Sequence, residues 1–418
     1  MATTIATTHD SKQAADKNAI RPFPKVNVPE AELTELRRRI NATRWPERET
    51  VMDASQGVQL ATTQALARYW ATEYDWRKVE ARLNALPQFI TEIDGLDIHF
   101  IHVRSKHENA LPLIVTHGWP GSIIEQMKII DPLTNPTAHG GRPEDAFDVV
   151  IPSMPGYGFS GRPATTGWDP DHIARAWVVL MKRLGYTKFV AQGGDWGAVV
   201  TEFMGVHAAP ELLGIHTNMP GIFPPEIDQA AASGKPAPSG LSAEEKVAYE
   251  TLQHEYQKGI AYGYQMGLRP QTLYGIADSP VGIAAYFLDH DAASYAMISR
   301  VFAGAKEGLT RDDVLDNITI AWLTNTFMSG ARLYWEYWGK GGYFNAKGVS
   351  IPVAVSVFPD ELYPMPRSFA ERAFPKLIHF NKLPKGGHFA AFEHPKLFSE
   401  EIRAGFRSLR SGVARSAA

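Results

Sequence analysis

The stretch Lys188-Phe189-Val190-Ala191-Gln192-Gly193-Gly194-Asp195-Trp196-Gly197-Ala198 decides how this chain is read. Residues 188–191 form a short apolar run of strand type, and residues 198–206 have helical character. Glycines two before and two after Asp195 permit a tight strand-to-helix turn. That is the geometry of a nucleophile elbow, with a carboxylate in the usual place of a serine hydroxyl. By itself the pentad also fits Asp195 as a plain helix N-cap. As a nucleophile, Asp changes the chemistry. It is already ionised at neutral pH and needs no base to activate it. It can attack an sp³ carbon that carries a good or strained leaving group. The product is an ester with the protein, and a water must hydrolyse that ester with the help of a general base.

Composition bounds what this carboxylate can serve. A length of 418 residues corresponds to two or three domains of about 150 residues. Lys and Arg number 42 against 45 Asp and Glu, a net charge of −3. That lacks the basic excess of a nucleic-acid footprint. There are no cysteines, which excludes disulfides, thiolate catalysis and Cys-based zinc sites. No apolar run reaches the roughly 18–20 residues of a membrane span. Residues 1–20 lack the apolar core of a signal peptide. The expectation is a soluble, cytoplasmic protein. Its 10 Trp, 15 Tyr and 20 Phe supply material for an aromatic cavity, although aromatics also fill cores.

Residues 1–20 read as a flexible tail. Residues 21–28 are extended, and a helix starts near Pro29, with Leu33, Leu36 and Ile40 at helical spacing. Two further helices are expected at about 58–73 and 76–86. At Phe89 the character changes. Residues 89–93 and 96–103 are strand-like around Asp94-Gly95, a two-residue hairpin signal. Apolar runs at 111–116, 147–151, 188–191 and 212–216, and later at 353–357 and 376–380, alternate with helical stretches. This argues for a parallel sheet with helices on both faces. Between Pro220 and about Gly348 strand signals vanish. Ser242 with Glu245 reads as a capping box, and Thr310 ahead of Asp313 as another cap. The expected organisation is a tail (1–20), an N-terminal helical extension (21–89), a first core segment (90–220), a helical cap (221–345) and a second core segment (346–418).

Three further motifs complete a constellation around the elbow. His388 in Gly386-Gly387-His388-Phe389 follows the last expected strand and is the candidate base; His394 lies close by but lacks the glycines. The chain order nucleophile, acid, His is that of the α/β-hydrolase fold. The acid should follow the strand at 353–357, where Asp360 and Glu361 stand side by side; one of them orients the imidazole and the other is a solvated loop acid. His117-Gly118-Trp119-Pro120-Gly121 follows the strand where that fold builds its oxyanion hole, with the backbone N–H groups of Trp119 and Trp196 as donors. Pro120 has no N–H to give. His117 shapes this loop.

With these residues in place the chain resembles the microsomal-type epoxide hydrolases, in particular soluble, anchorless members, over roughly residues 20–410. Phe23-Pro24, Val28-Pro29, Arg44-Trp45-Pro46 and Tyr74-Asp75-Trp76-Arg77 are similar to that family's N-terminal domain. In the insertion, Tyr262 precedes Arg269-Pro270-Gln271-Thr272 and Asp278-Ser279-Pro280-Val281-Gly282 in the family's register, and Arg332-Leu333-Tyr334-Trp335-Glu336 resembles its second tyrosine segment. The resemblance implies an α/β-hydrolase core with an inserted helical cap and an N-terminal helical extension that wraps around both. It implies Tyr262 and Tyr334 as donors to an epoxide oxygen, with Tyr264 and Tyr256 as rivals for the first role and Tyr337 for the second. It favours Glu361 over Asp360. It implies conversion of a small apolar epoxide to a vicinal diol without cofactor or metal, in detoxification or aromatic hydrocarbon catabolism, and it allows a homodimer.

The alternative function is a haloalkane or haloacid dehalogenase. It would share the Asp nucleophile, the base and the oxyanion hole, but would need halide donors such as the indole N–H groups of Trp119 and Trp196. A non-catalytic receptor on the same fold would tend to lose the nucleophile or the base. A carboxylesterase would have to form an anhydride on Asp195.

Overall fold

The structure is a computed structural model and describes residues 16, 18–338, 344 and 346–410. Most of the tail expected at 1–20, part of the junction at 345–346 and residues 411–418 lie outside the described residues.

The strands are β1 (Arg21–Pro22), β2 (Gln88–Ile93), β3 (Leu96–Val103), β4 (Leu111–Thr116), β5 (Phe147–Pro152), β6 (Phe189–Gly193), β7 (Leu212–Thr217), β8 (Val353–Val357) and β9 (Leu377–Lys382). They form one sheet in the order β1-β2-β3-β5-β4-β6-β7-β8-β9. From β5 to β9 every pair is parallel, and each residue of β4, β5, β6 and β8 is buried. This is what continuous apolar runs covered by helices produce.

The N-terminal edge departs from an all-parallel sheet. β1, β2 and β3 pair antiparallel, and β3 meets β5 antiparallel. Asp94 and Gly95 carry φ of +49° and +81° and pair Ile93 with Leu96, the tight hairpin that Asp-Gly encodes. The edge strand β1 comes from a segment read only as extended. Its two residues hold too little pattern to show as a strand.

The helices Glu30–Asn41, Leu60–Thr72 and Trp76–Asn84 pack on the insertion rather than standing apart. Arg39 bonds Asp278 at 2.7 Å, Trp70 Nε1 donates to Thr319 at 3.0 Å, and the Tyr74 hydroxyl donates to Asp316 at 2.7 Å. Among the described residues, 221–348 are helix and loop. Both expected capping boxes form, at Ser242/Glu245 and Thr310/Asp313. Asn317 ties the insertion to the core by donating to the Pro120 carbonyl at 2.8 Å, and Lys128 pairs with Asp313 at 2.9 Å.

Candidate active site

Asp195 sits between β6 and the helix Trp196–His207 with φ +51° and ψ −130°, a conformation a non-glycine residue adopts only where its surroundings enforce it. The two flanking glycines make the turn sterically possible. A Cβ on Gly193 would lie 1.9 Å from the Gly197 carbonyl oxygen, and one on Gly197 would lie 2.0 Å from that of Thr116. Asp195 makes no capping bond. Its carboxylate turns instead toward the loop after β4, where Oδ1 accepts the Trp119 N–H at 2.7 Å. Trp196 opens the helix, and its ring stands edge-on to Tyr334 at 4.7 Å.

The other oxygen, Oδ2, faces two imidazoles. His388 Nε2 lies 3.4 Å away, and its Nδ1 donates to Glu361 Oε1 at 2.6 Å. Asp360 points elsewhere; its backbone bridges Gly387. Nor does His394 reach the cluster. Its ring edge packs 3.2 Å from where a Gly386 Cβ would stand. His117 is buried in the loop after β4, where Nε2 accepts the Met154 N–H at 3.1 Å; burial pushes its pKa down to about 4.

The electrostatics follow from these contacts. Burial opposes the charge on Asp195, but hydrogen bonds from His290 and His388 outweigh it and hold the carboxyl well below its usual range. Burial also opposes the charge on His388, yet Glu361 and Asp195 together raise its pKa well above the ordinary value. The resting centre is an ionised nucleophile beside a charged imidazole.

Tyr262 and Tyr334 both face this centre. Tyr262 stacks on Trp119 at 4.9 Å and 11°, and Tyr334 stands edge-on to the same indole at 5.7 Å. Burial and the Asp195 charge push the Tyr334 hydroxyl well above its normal pKa, against hydrogen bonds with Tyr262 and the Trp196 indole. Two of the rivals are turned away or occupied. Tyr264 is 40% exposed and donates to the Tyr256 carbonyl at 2.9 Å, while Tyr256 donates to Asp228 at 2.5 Å. Tyr337 packs edge-on to Trp196 at 5.2 Å.

Two cavities meet at Asp195. One holds about 490 Å³ and is walled mostly by aromatic and aliphatic side chains, including Trp196, Tyr262, Tyr334, Tyr337, Phe344 and Tyr363, with the Glu255 carboxyl among them. The other holds about 340 Å³ and is lined by Glu125, Gln126, Asn218 and His388 with Phe389, Phe392 and Phe398. Burial raises the Glu125 carboxyl to about 8.

A family profile of the epoxide hydrolase N terminus matches residues 20–126, and one of the alpha/beta hydrolase fold matches residues 112–258. A protein of Stigmatella aurantiaca (strain DW4/3-1) named "Putative epoxide hydrolase" is 50% identical over 394 residues, covering 94% of this chain and 86% of its own. Epoxide hydrolase 1 of Oryctolagus cuniculus is 34% identical over 403 residues, covering 93% and 88%. The crystal structure of juvenile hormone epoxide hydrolase from the silkworm Bombyx mori is similar with a TM-score of 0.81 at 29% identity, over 94% of this chain and 96% of that one. The chain belongs to the epoxide hydrolase family. The relatives favour this over the dehalogenase alternative, and no helix of the described residues is long and apolar enough to cross a membrane.

This epoxide hydrolase carries a group near Asp195 that sequence reasoning missed. His290 is 2% exposed; its Nε2 lies 3.5 Å from Asp195 Oδ2, and its Nδ1 donates to Asp291 Oδ2 at 3.0 Å. Burial and the neighbouring His388 oppose its charge, but Asp195 and Asp291 still raise its pKa. The ligand atoms of Asp195, His290 and His388 lie within 4.8 Å of one another, a spacing that suits proton transfer as well as a metal ion. Each imidazole is tied through its other nitrogen to its own carboxylate, His290 to Asp291 and His388 to Glu361. The one signal in the sequence is Asp289-His290-Asp291 just before a helix, which by itself reads as an N-cap.

Proposed function

We propose that the enzyme converts an apolar, aryl-bearing epoxide to a vicinal diol in two steps through an ester on Asp195. Oδ2 attacks a ring carbon from the elbow. The carbon–oxygen bond of the strained ring breaks, and the oxygen takes a proton from the Tyr262–Tyr334 pair. A water in the polar cavity then attacks Cγ while His388, oriented by Glu361, takes its proton. The amides at Trp119 and Trp196 receive the charge that develops on Oδ1.

The observation that carries this reading is the division of Asp195 between its oxygens: Oδ1 accepts an amide N–H at 2.7 Å, while Oδ2 is left to the imidazoles. Glu361 and the Asp195 charge together raise the His388 pKa; esterification removes the Asp195 share, and the imidazole gives up its proton more readily when a base is needed. The aromatic walls support a bulky apolar substrate of the kind formed by oxidation of aromatic hydrocarbons. With such a substrate, the proposal includes a role in detoxification or aromatic hydrocarbon catabolism. A test is incubation with aryl and alkyl epoxides and haloalkanes, following diol and halide together. Diol from the wild type alone, none from Asp195→Ala, and no halide are expected. Halide without diol would overturn the reading.

A further inference from the structure

Two histidine–carboxylate dyads converge on one oxygen. Glu361–His388 presents Nε2 at 3.4 Å from Asp195 Oδ2, and Asp291–His290 presents Nε2 at 3.5 Å from the same atom. The second dyad is as firmly built as the first. Asp291 Oδ1 accepts the Ser294 N–H at 2.6 Å, which caps the helix Ala292–Phe302, and Oδ2 takes the imidazole proton of His290. This fixes Nε2 toward the nucleophile, and its polar neighbour there is Asp195 Oδ2 at 3.5 Å.

We propose that His290, oriented by Asp291, is a second catalytic residue: the general acid that protonates Asp195 Oδ2 as it departs with the diol. This rests on the ester mechanism above and adds to it. In ester hydrolysis the leaving atom is Oδ2, because water adds to Cγ and the Cγ–Oδ2 bond breaks. A departing alkoxide is a poor leaving group and needs a proton. His388 lines the polar cavity where the water enters, whereas His290 lines neither cavity and lies against Tyr262 and Trp119, at 5.2 and 6.0 Å between ring centres. Position therefore separates the two imidazoles into base and acid.

The proton count closes. At rest the anionic Asp195, with Glu361 and Asp291 behind the rings, favours the charged form of both imidazoles. Ring opening consumes one proton, which passes to the epoxide oxygen through a tyrosine that the imidazole pair then reprotonates. The Asp195 charge has now gone. Two imidazoles with ring centres 4.3 Å apart repel each other when both are protonated, so the pair keeps one proton. His388 takes a proton from water as the water oxygen bonds to Cγ. The Cγ–Oδ2 electron pair leaves on Oδ2, which takes the proton from His290 and departs as a diol hydroxyl. The new carboxylic acid returns its proton to His290, restoring the resting state with the water oxygen retained in Asp195. The titratable groups that face His290 are Asp195, His388 and Asp291, with Asp289, Glu255 and Glu393 beyond them.

The test is rapid-quench single turnover with the full chain, using trans-β-methylstyrene oxide and its trifluoromethyl counterpart, whose leaving alcohol is more acidic. Mass analysis follows the adduct on the Asp195 peptide. For His290→Gln we expect the adduct to form and its hydrolysis to slow by about 10²–10³-fold with the methyl substrate, and by tenfold or less with the trifluoromethyl one. His388→Gln should slow both substrates alike, because its lesion lies in water activation. Asp291→Asn keeps a helix cap and should show a smaller slowing with the same leaving-group dependence; it carries the test alone if the glutamine variant does not fold. Unchanged hydrolysis, an equal loss with both leaving groups, or a matching loss in adduct formation overturns the role of His290. Absence of any Asp195 adduct in the wild type and in His388→Gln overturns the ester mechanism itself, and is distinguishable from the first result.

Discussion

The two cavities that meet at Asp195 are opposite in character. On one side the walls are mostly rings and aliphatic groups, with the hydroxyls of Tyr262 and Tyr334 and the buried carboxyl of Glu255 among them. On the other, a carboxyl, two amides and an imidazole crowd a smaller space. An apolar epoxide gains from leaving water on the first side, and a water molecule finds the two to four partners it needs on the second. The difference teaches how the proposed mechanism could keep its two half-reactions apart on one carboxylate, whose two faces open into different rooms.

The sharpest way to break this comparison is to remove the group that both sides share and then the group only one side uses. Asp195→Ala should abolish ring opening and hydrolysis together, a loss on the order of 10⁴-fold or more in kcat. His388→Gln should leave ring opening intact and trap the ester, visible as added substrate mass on the Asp195 peptide. If His388→Gln stopped ring opening as completely as Asp195→Ala does, the two sides would not be separate.

A smaller effect is expected from the aromatic side alone. Tyr262→Phe or Tyr334→Phe removes one donor to the developing alkoxide, worth about 3 kcal/mol or roughly 10²-fold. The loss should appear in the pre-steady-state rate of adduct formation, with hydrolysis of preformed ester unchanged. The double variant should lose less than the product of the two, since the hydroxyls are hydrogen-bonded to each other.

Glu125 probes the polar side. With its carboxyl at about 8, it is neutral at pH 7 and ionises above. Its negative charge would then favour the protonated form of His388 and withhold the base. Hydrolysis should therefore fall, by several-fold, as pH rises through about 8, and Glu125→Gln should flatten that limb. A wild-type profile flat through that region would remove Glu125 from the water side.

How much of this could be read beforehand depended on whether the signal was local. The elbow was legible because two glycines are sterically required around Asp195, and the hairpin because Asp94-Gly95 fits few other turns. The caps at Ser242 and Thr310 likewise depend on three residues each. The edge strand β1 was not legible, since two residues have no periodicity. Nor was His290. Asp291 announces a helix start, but only the packing of the cap on the core brings that start over Asp195. The polar cavity was hidden for a related reason. A Cβ on Gly121 would stand 1.9 Å from the Glu125 carboxylate, so the Pro-Gly turn makes the space that a residue four positions later fills.

The smallest effect concerns a carboxyl with the same pKa as Glu125 but outside both cavities. Glu202 lies on the helix after the elbow and is completely buried. Its Oε1 accepts the Gly221 N–H at 2.7 Å, its Oε2 has no partner, and burial raises it to about 8. In the unfolded chain the group loses its proton near its ordinary value of 4.5. Between that value and about 8 the folded state therefore binds one proton more than the unfolded state, and stability falls as pH rises. Glu202→Gln mimics the neutral form, so it should remove this loss and raise Tm at pH 8 by roughly 2–4 °C relative to wild type, with little change at pH 5. The hydrolysis limb near pH 8 should survive in this variant, whereas Glu125→Gln should alter both curves. If Glu202→Gln also flattened the kinetic limb, the pH dependence would belong to loosening of the fold, and the polar cavity would lose its claim to it.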